Sequence, residues 1–139
     1  MSTESPDQSR KGAARRRVLV VEDDDEMRGL MSEVLEAHGF DAHQAAADAQ
    51  ALMKLRETAV EAVVLDKNLP GLNGLAILPG IRCLFPDAPV ILISAFGDAI
   101  TEVRARERGA TAFLPKPFRL AGLIRLLHRH MAPQAVRAR

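Results

Sequence analysis

Residues 18–35 read Val-Leu-Val-Val-Glu-Asp-Asp-Asp-Glu-Met-Arg-Gly-Leu-Met-Ser-Glu-Val-Leu. The first four form a β-branched, apolar run of strand length, and Glu22 and Asp23 open the run of acids that follows at once. From Met27 the apolar residues recur at Leu30, Met31, Val34 and Leu35, the spacing of one helix face. Gly39 stands where a helix C-cap belongs. A strand that passes directly into an amphipathic helix is a βα unit, and the same succession recurs along the chain. Apolar runs at 62–65 and 90–93, with weaker ones at 40–44 and 111–114, alternate with helical stretches, the last of which carries Leu120, Leu123, Ile124, Leu127 and Met131 on one face. The alternation predicts an α/β fold: one doubly wound sheet of five parallel strands with helices on both faces.

The chain has 139 residues, 47% of them hydrophobic, which suits one core and is short for two ordinary domains. A basic tail at 1–17, a folded domain at 18–131 and a second tail at 132–139 are the expected parts. One cysteine, Cys83, excludes an internal disulfide. No apolar run approaches the roughly 18 residues of a membrane helix, and the polar opening lacks the apolar region of a secretory signal. A cytoplasmic protein with no membrane partner is expected. The net charge of +1 is unevenly spread: 18–131 holds 12 basic and 16 acidic residues, a net of −4, and the tails carry the positive excess. An acidic body argues against direct nucleic-acid binding by the folded domain. Arg15, Arg16 and Arg17 read as solvated chain.

Two helical stretches are irregular. The one after Gly74 contains Pro79 and Gly80, so it should kink or start late. The one at 98–108 offers only Ile100 and Val103 as large apolar residues and should be the most loosely held. Cys83 reads as a packing residue. His38, His43, His128 and His130 fall on different elements or helix faces, which speaks against a histidine metal site.

In open parallel sheets ligands sit beyond the carboxyl ends of the strands. Glu22 and Asp23 follow the first apolar run, the third ends in Asp66, the fourth in Ser94, and Lys116 follows the fifth. Three carboxylates at one rim repel each other unless protons or a cation intervene. Mg²⁺ suits such a rim because it binds through a few carboxylates, keeps waters and bridges to phosphate. Lys116 adds a point charge for a phosphoryl oxygen and Ser94 a hydroxyl donor. Carboxylate nucleophile, divalent cation, lysine and hydroxyl together make a phosphoryl-transfer site. Taken singly, Asp24, Asp25 and Glu26 are acids favoured at a helix N-terminus, and Asp66 before a Pro-Gly turn is ordinary turn chemistry.

Four motifs in order, VLVVED (18–23) with Arg28 downstream, VVLDKNLPGLNGL (63–75), VILISA (90–95) and GATAFLPKPF (109–118), resemble the receiver-domain pattern of two-component response regulators. The resemblance spans 18 to about 131 and implies the flavodoxin-like (βα)5 receiver fold. It implies that Asp66 accepts a phosphoryl group from a sensor histidine kinase or phosphotransfer protein and that Mg²⁺ is the cofactor. Asp23 would hold the metal directly, Glu22 through water, and Asn68 through its backbone carbonyl alongside Asp66. Ser94 and Lys116 would engage the phosphoryl group, Ser94 and Phe113 would form the switch, and the Lys116–Pro117 peptide would be cis. Asn68 and Phe96 resemble the variable positions that set the hydrolysis rate.

Three residues depart from the commoner pattern: Lys67 follows the acceptor where an apolar residue is usual, Phe113 lacks a hydroxyl, and Pro115 precedes the motif lysine. Pro115 is tolerable on an edge strand, and Lys67, directly after a strand-end residue, should point away from the site. The resemblance implies a phosphorylation-controlled switch, not an enzyme, acting on a separate partner protein, or else the first part of a longer regulator. Two other readings are a haloacid-dehalogenase-like enzyme built on Asp23 and Asp25, and a receiver that serves only as a binding module.

Overall fold

The computed structural model describes residues 15–67, 75–95 and 99–131. Along them run β1 (Arg16–Val21), α1 (Asp25–Ala37), β2 (Phe40–Ala45), α2 (Asp48–Glu57), β3 (Ala62–Asp66), α3 (Ile77–Leu84), β4 (Val90–Ser94), α4 (Ala99–Glu107), β5 (Ala112–Pro115) and α5 (Leu120–His130). The strands form one sheet in the order β2-β1-β3-β4-β5, and every pairing is parallel. The expected five-stranded α/β sheet is therefore present.

Because strand side chains alternate between faces, each central strand feeds two cores. Val18, Val20, Ala62, Val64, Ile91 and Ile93 pack with Met31 and Leu35 of α1 and Leu123, Ile124 and Leu127 of α5. Leu19, Val21, Val63, Leu65, Val90 and Leu92 face the other way, onto Ala51 and Leu55 of α2, Leu78 and Ile81 of α3 and Ala105 of α4. Burial on both faces is why these strands read as continuous apolar runs and not as alternating ones.

Local chemistry sets the helix ends. Asp24 caps α1 by accepting from Met27 N–H at 3.3 Å, and Asp25 and Glu26 occupy the first turn. Gly39 takes φ +92°, as expected of a residue just past a helix. The stretch with Pro79 starts late: α3 opens at Ile77, so Pro79 falls in the first turn, where its missing N–H removes no helical bond. Arg82 of α3 donates to the carbonyls of Gly109, Phe85, Pro86 and Ala88 and to Thr111 Oγ1, tying α3 to the turn before β5. Gly109 sits at φ +116° with its missing Cβ aimed 2.5 Å from Arg82 Cγ, so no larger residue fits without moving Arg82.

Three expectations need correction. Residues 15–17 belong to the fold: Arg15 Nη1 donates to Glu36 O (3.1 Å) and Phe40 O (3.0 Å), Arg16 lies 5.2 Å over the Phe40 ring, and Arg17 N–H donates to Glu61 Oε1 at 2.7 Å. Pairing of β1 with β2 begins at Arg16 opposite Phe40, so the domain starts before residue 18. Counting these arginines in brings the net charge of the folded body from −4 to −1. Leu30 is exposed, because the buried face of α1 is narrower than the apolar stripe. Cys83 is also exposed. On α4, Ile100 and Val103 are 67% and 53% exposed, and Ala105 is the buried residue. That helix has the thin apolar contact its composition forecast, and its large apolar residues face outward.

Candidate functional site

Register brings the strand ends together. Val21 lies opposite Leu65 and Asp66 opposite Ile93, so Glu22, one past Val21, is level with Asp66. Ser94 stands opposite Pro115, and Lys116 N–H donates to Ser94 O at 3.0 Å. Glu22, Asp23, Asp66, Ser94 and Lys116 thus gather at the carboxyl edge, around the switch point between β1 and β3. β5 is an edge strand, as Pro115 requires. The Lys116–Pro117 peptide is cis, as the resemblance implied.

Asp66 dominates the electrostatics. Its side chain has no exposed surface, Lys116 Nζ lies 2.9 Å from Oδ1, and neither carboxylate oxygen has a hydrogen bond of sound geometry. The contact is therefore an ion pair without directional satisfaction. Glu22 is 2% exposed, and its Oε2 accepts from Asp24 N–H at 3.0 Å. Burial, then the neighbouring Asp66 carboxyl, pushes the Glu22 acid up to about 8, against the opposing hydrogen bond from Asp24. Arg28 steadies the segment by donating to Glu22 O (2.8 Å), Gln44 Oε1 (3.2 Å) and Asp25 Oδ1 (2.6 Å). Ser94 is buried and Asp23 exposed. Phe113, opposite Leu92, is half-buried against the core that holds α2, α3 and α4.

A cation fits this rim. Two oxygens of a buried carboxylate lack hydrogen bonds beside a second buried acid, and hard oxygen donors are what Mg²⁺ prefers. Among the described residues no three acids, histidines or cysteines converge to cage a metal unaided. Mg²⁺ does not need such a cage, since it binds through one or two carboxylates and keeps its waters. Asn68 and Phe96, the other positions singled out from sequence, lie outside the described residues. Asp25, the second acid of the dehalogenase-like pair, has an 87% exposed side chain bonded to Arg28, a helix-surface role.

One feature escaped the sequence. Contrary to what its place after the strand end predicted, Lys67 does not point away from the site: its Nζ meets Asp48 Oδ1 at 2.5 Å, and both residues line a cleft of about 400 Å³ with Glu22, Asp23 and Asp66. The partner, Asp48, is 19 positions away, and no local spacing signals such a pair.

A family model for the response regulator receiver domain matches residues 18–128. The chain belongs to that family. Among curated relatives, this receiver is 37% identical over 113 residues to the transcriptional regulatory protein PrrA of Mycobacterium leprae, covering 81% of this chain and 48% of PrrA. It therefore spans about half the length of that relative. Among solved structures, the receiver resembles the chemotaxis protein CheY4 of Vibrio cholerae, with a TM-score of 0.77 and 25% identity over 84% of this chain and 99% of that one. The receiver domain of NtrX from Brucella abortus gives 0.73 and 36% over 81% and 96%. The fold is thus the CheY-like, flavodoxin-like one, and the receiver is a domain of two-component signalling. No helix among its described residues is long and apolar enough to cross a membrane.

Proposed function

We propose that this receiver accepts a phosphoryl group on Asp66 from a phosphohistidine of a sensor kinase or phosphotransfer protein. The observation that carries the proposal is the buried Asp66 carboxylate, with no hydrogen bond of sound geometry to either oxygen and Oδ1 paired at 2.9 Å with the Lys116 ammonium. A carboxylate oxygen attacks phosphorus, the new O–P bond forms as the P–N bond to the imidazole breaks, and the imidazole leaves with a proton. Lys116 offsets charge on the phosphoryl oxygens and the Ser94 hydroxyl donates to one of them. Asp23 and Asp66 would hold Mg²⁺ directly and Glu22 through water, and the resemblance adds the Asn68 carbonyl as a further ligand. When bound, the cation neutralises charge shared between the carboxylates and the phosphoryl group.

The receiver acts as a cytoplasmic switch and not as an enzyme with a turnover substrate. Phosphorylation draws Ser94 inward, changes the packing of Phe113 and re-aims α4, whose exposed Ile100 and Val103 offer an apolar face to a partner protein. The test is intact-mass spectrometry after incubation with acetyl phosphate and Mg²⁺. Wild type gains one phosphate mass and Asp66→Asn gains none; a phosphorylated Asp66→Asn protein refutes the assignment.

A further inference from the structure

Lys67 still belongs to the β3–β4 ladder through its backbone, since its N–H donates to Ile93 O at 2.9 Å. Its side chain, 18% exposed, is committed to Asp48 at the start of α2. Both residues line the cleft that also contains Glu22, Asp23 and Asp66, and Ala46 and Ala47, with their small side chains, complete the wall. Strand order puts this wall on the β2 side of Asp66, whereas Lys116 approaches from the β5 side. The cleft therefore has four carboxylates and one ammonium, and that ammonium is neutralised by Asp48.

We propose that Lys67 is a second phosphoryl-binding cation for Asp66, kept in reserve by Asp48 and released to the phosphoryl group when that anion arrives. The inference rests on Asp66 being the acceptor. A phosphoryl group brings close to two negative charges into the cleft. A lysine ammonium on its flexible stem can exchange one anion for another, and a pair as exposed as this one, with Asp48 at 37%, is held weakly enough to release it. The competing account is that the pair only ties the β2–α2 loop to the end of β3.

The two accounts separate because Lys67→Met and Asp48→Asn break the same ion pair. A structural tie makes both variants change phosphoryl binding in the same direction or not at all. A reserve cation makes them opposite: Lys67→Met loses the charge and Asp48→Asn frees it. Beryllofluoride binding to the full chain, followed by ¹⁹F NMR in saturating Mg²⁺, reads the difference. Lys67→Met should weaken the dissociation constant about two- to five-fold, Asp48→Asn should tighten it by a similar factor, and Lys67→Arg should stay near wild type. Lys67→Gln stands in for the methionine variant if that protein folds poorly. Shifts of the same sign, or no shift, overturn the inference alone. Retention of beryllofluoride by Asp66→Asn overturns the acceptor reading and this inference with it.

Discussion

Replacing the acceptor should make the metal-free protein more stable. In wild type the Asp66 side chain is fully buried and neither oxygen has a hydrogen bond. An unsatisfied buried polar group costs about 1–3 kcal/mol, and more when charged. The ion pair returns no more than about 1 kcal/mol, because the Lys116 side chain is 22% exposed and can be solvated without its partner. Asp66→Asn removes the buried charge, keeps the shape, and leaves an amide beside the buried Glu22 carboxyl. The net gain is about 1–2 kcal/mol, which for a domain of this size raises Tm by about 4–8 °C. The chain has no tryptophan or tyrosine, so far-UV circular dichroism is the suitable melting probe. In EDTA the variant should melt above wild type; in millimolar Mg²⁺ wild type should gain and the variant should gain much less, closing or reversing the gap. A variant that melts below wild type in EDTA refutes the premise that the site is electrostatically strained.

Glu22 supplies a pH test. Its acid is raised from 4.5 to about 8 on folding, so its contribution to metal-free stability is complete below about pH 4.5 and is lost as pH rises through about 8. Urea denaturation in EDTA at pH 6 and 9 should show this loss, and Glu22→Gln should flatten it; equal slopes for both proteins count against the assignment. Arg82→Ala removes a charged donor from four carbonyls and Thr111 and should cost about 2–3 kcal/mol, read from urea midpoints, while leaving Mg²⁺ binding unchanged. Phe96→Glu should hasten the decay of phospho-Asp66 in excess Mg²⁺, because an apolar side chain two residues past Ser94 cannot orient water and a carboxylate can. Unchanged decay removes that role.

The parts of the fold that sequence exposes are those whose cause is local or periodic. Strands buried on both faces announce themselves as apolar runs, and Asp24, Gly39 and Pro79 act within a few residues of their own positions. The gathering of Glu22, Asp66, Ser94 and Lys116 followed from strand order, since each falls just at or after a strand end. What stayed hidden depends on distant partners. Arg15–17 look like tail until β2 supplies Phe40 and α1 supplies Glu36. The outward aim of Leu30, Ile100 and Val103 depends on how wide a stripe the sheet covers, which apolar spacing does not disclose. Lys67 follows the strand rule for direction only until Asp48 is placed beside it by the β2–β1–β3 order.

Arg16 at the start of β1 lies 3.4 Å from His128 near the end of α5, and Arg16, His130 and Met131 border one cleft. The first and last elements of the domain therefore meet at the edge away from Asp66. This makes the receiver a candidate cassette for protein engineering. A few linker residues could close it into a circular permutant with new ends opened in an exposed turn, or splice it into a surface loop of a host protein. In the spliced form the host would be joined at one edge of the sheet, and the loops around the acceptor would keep their native connections.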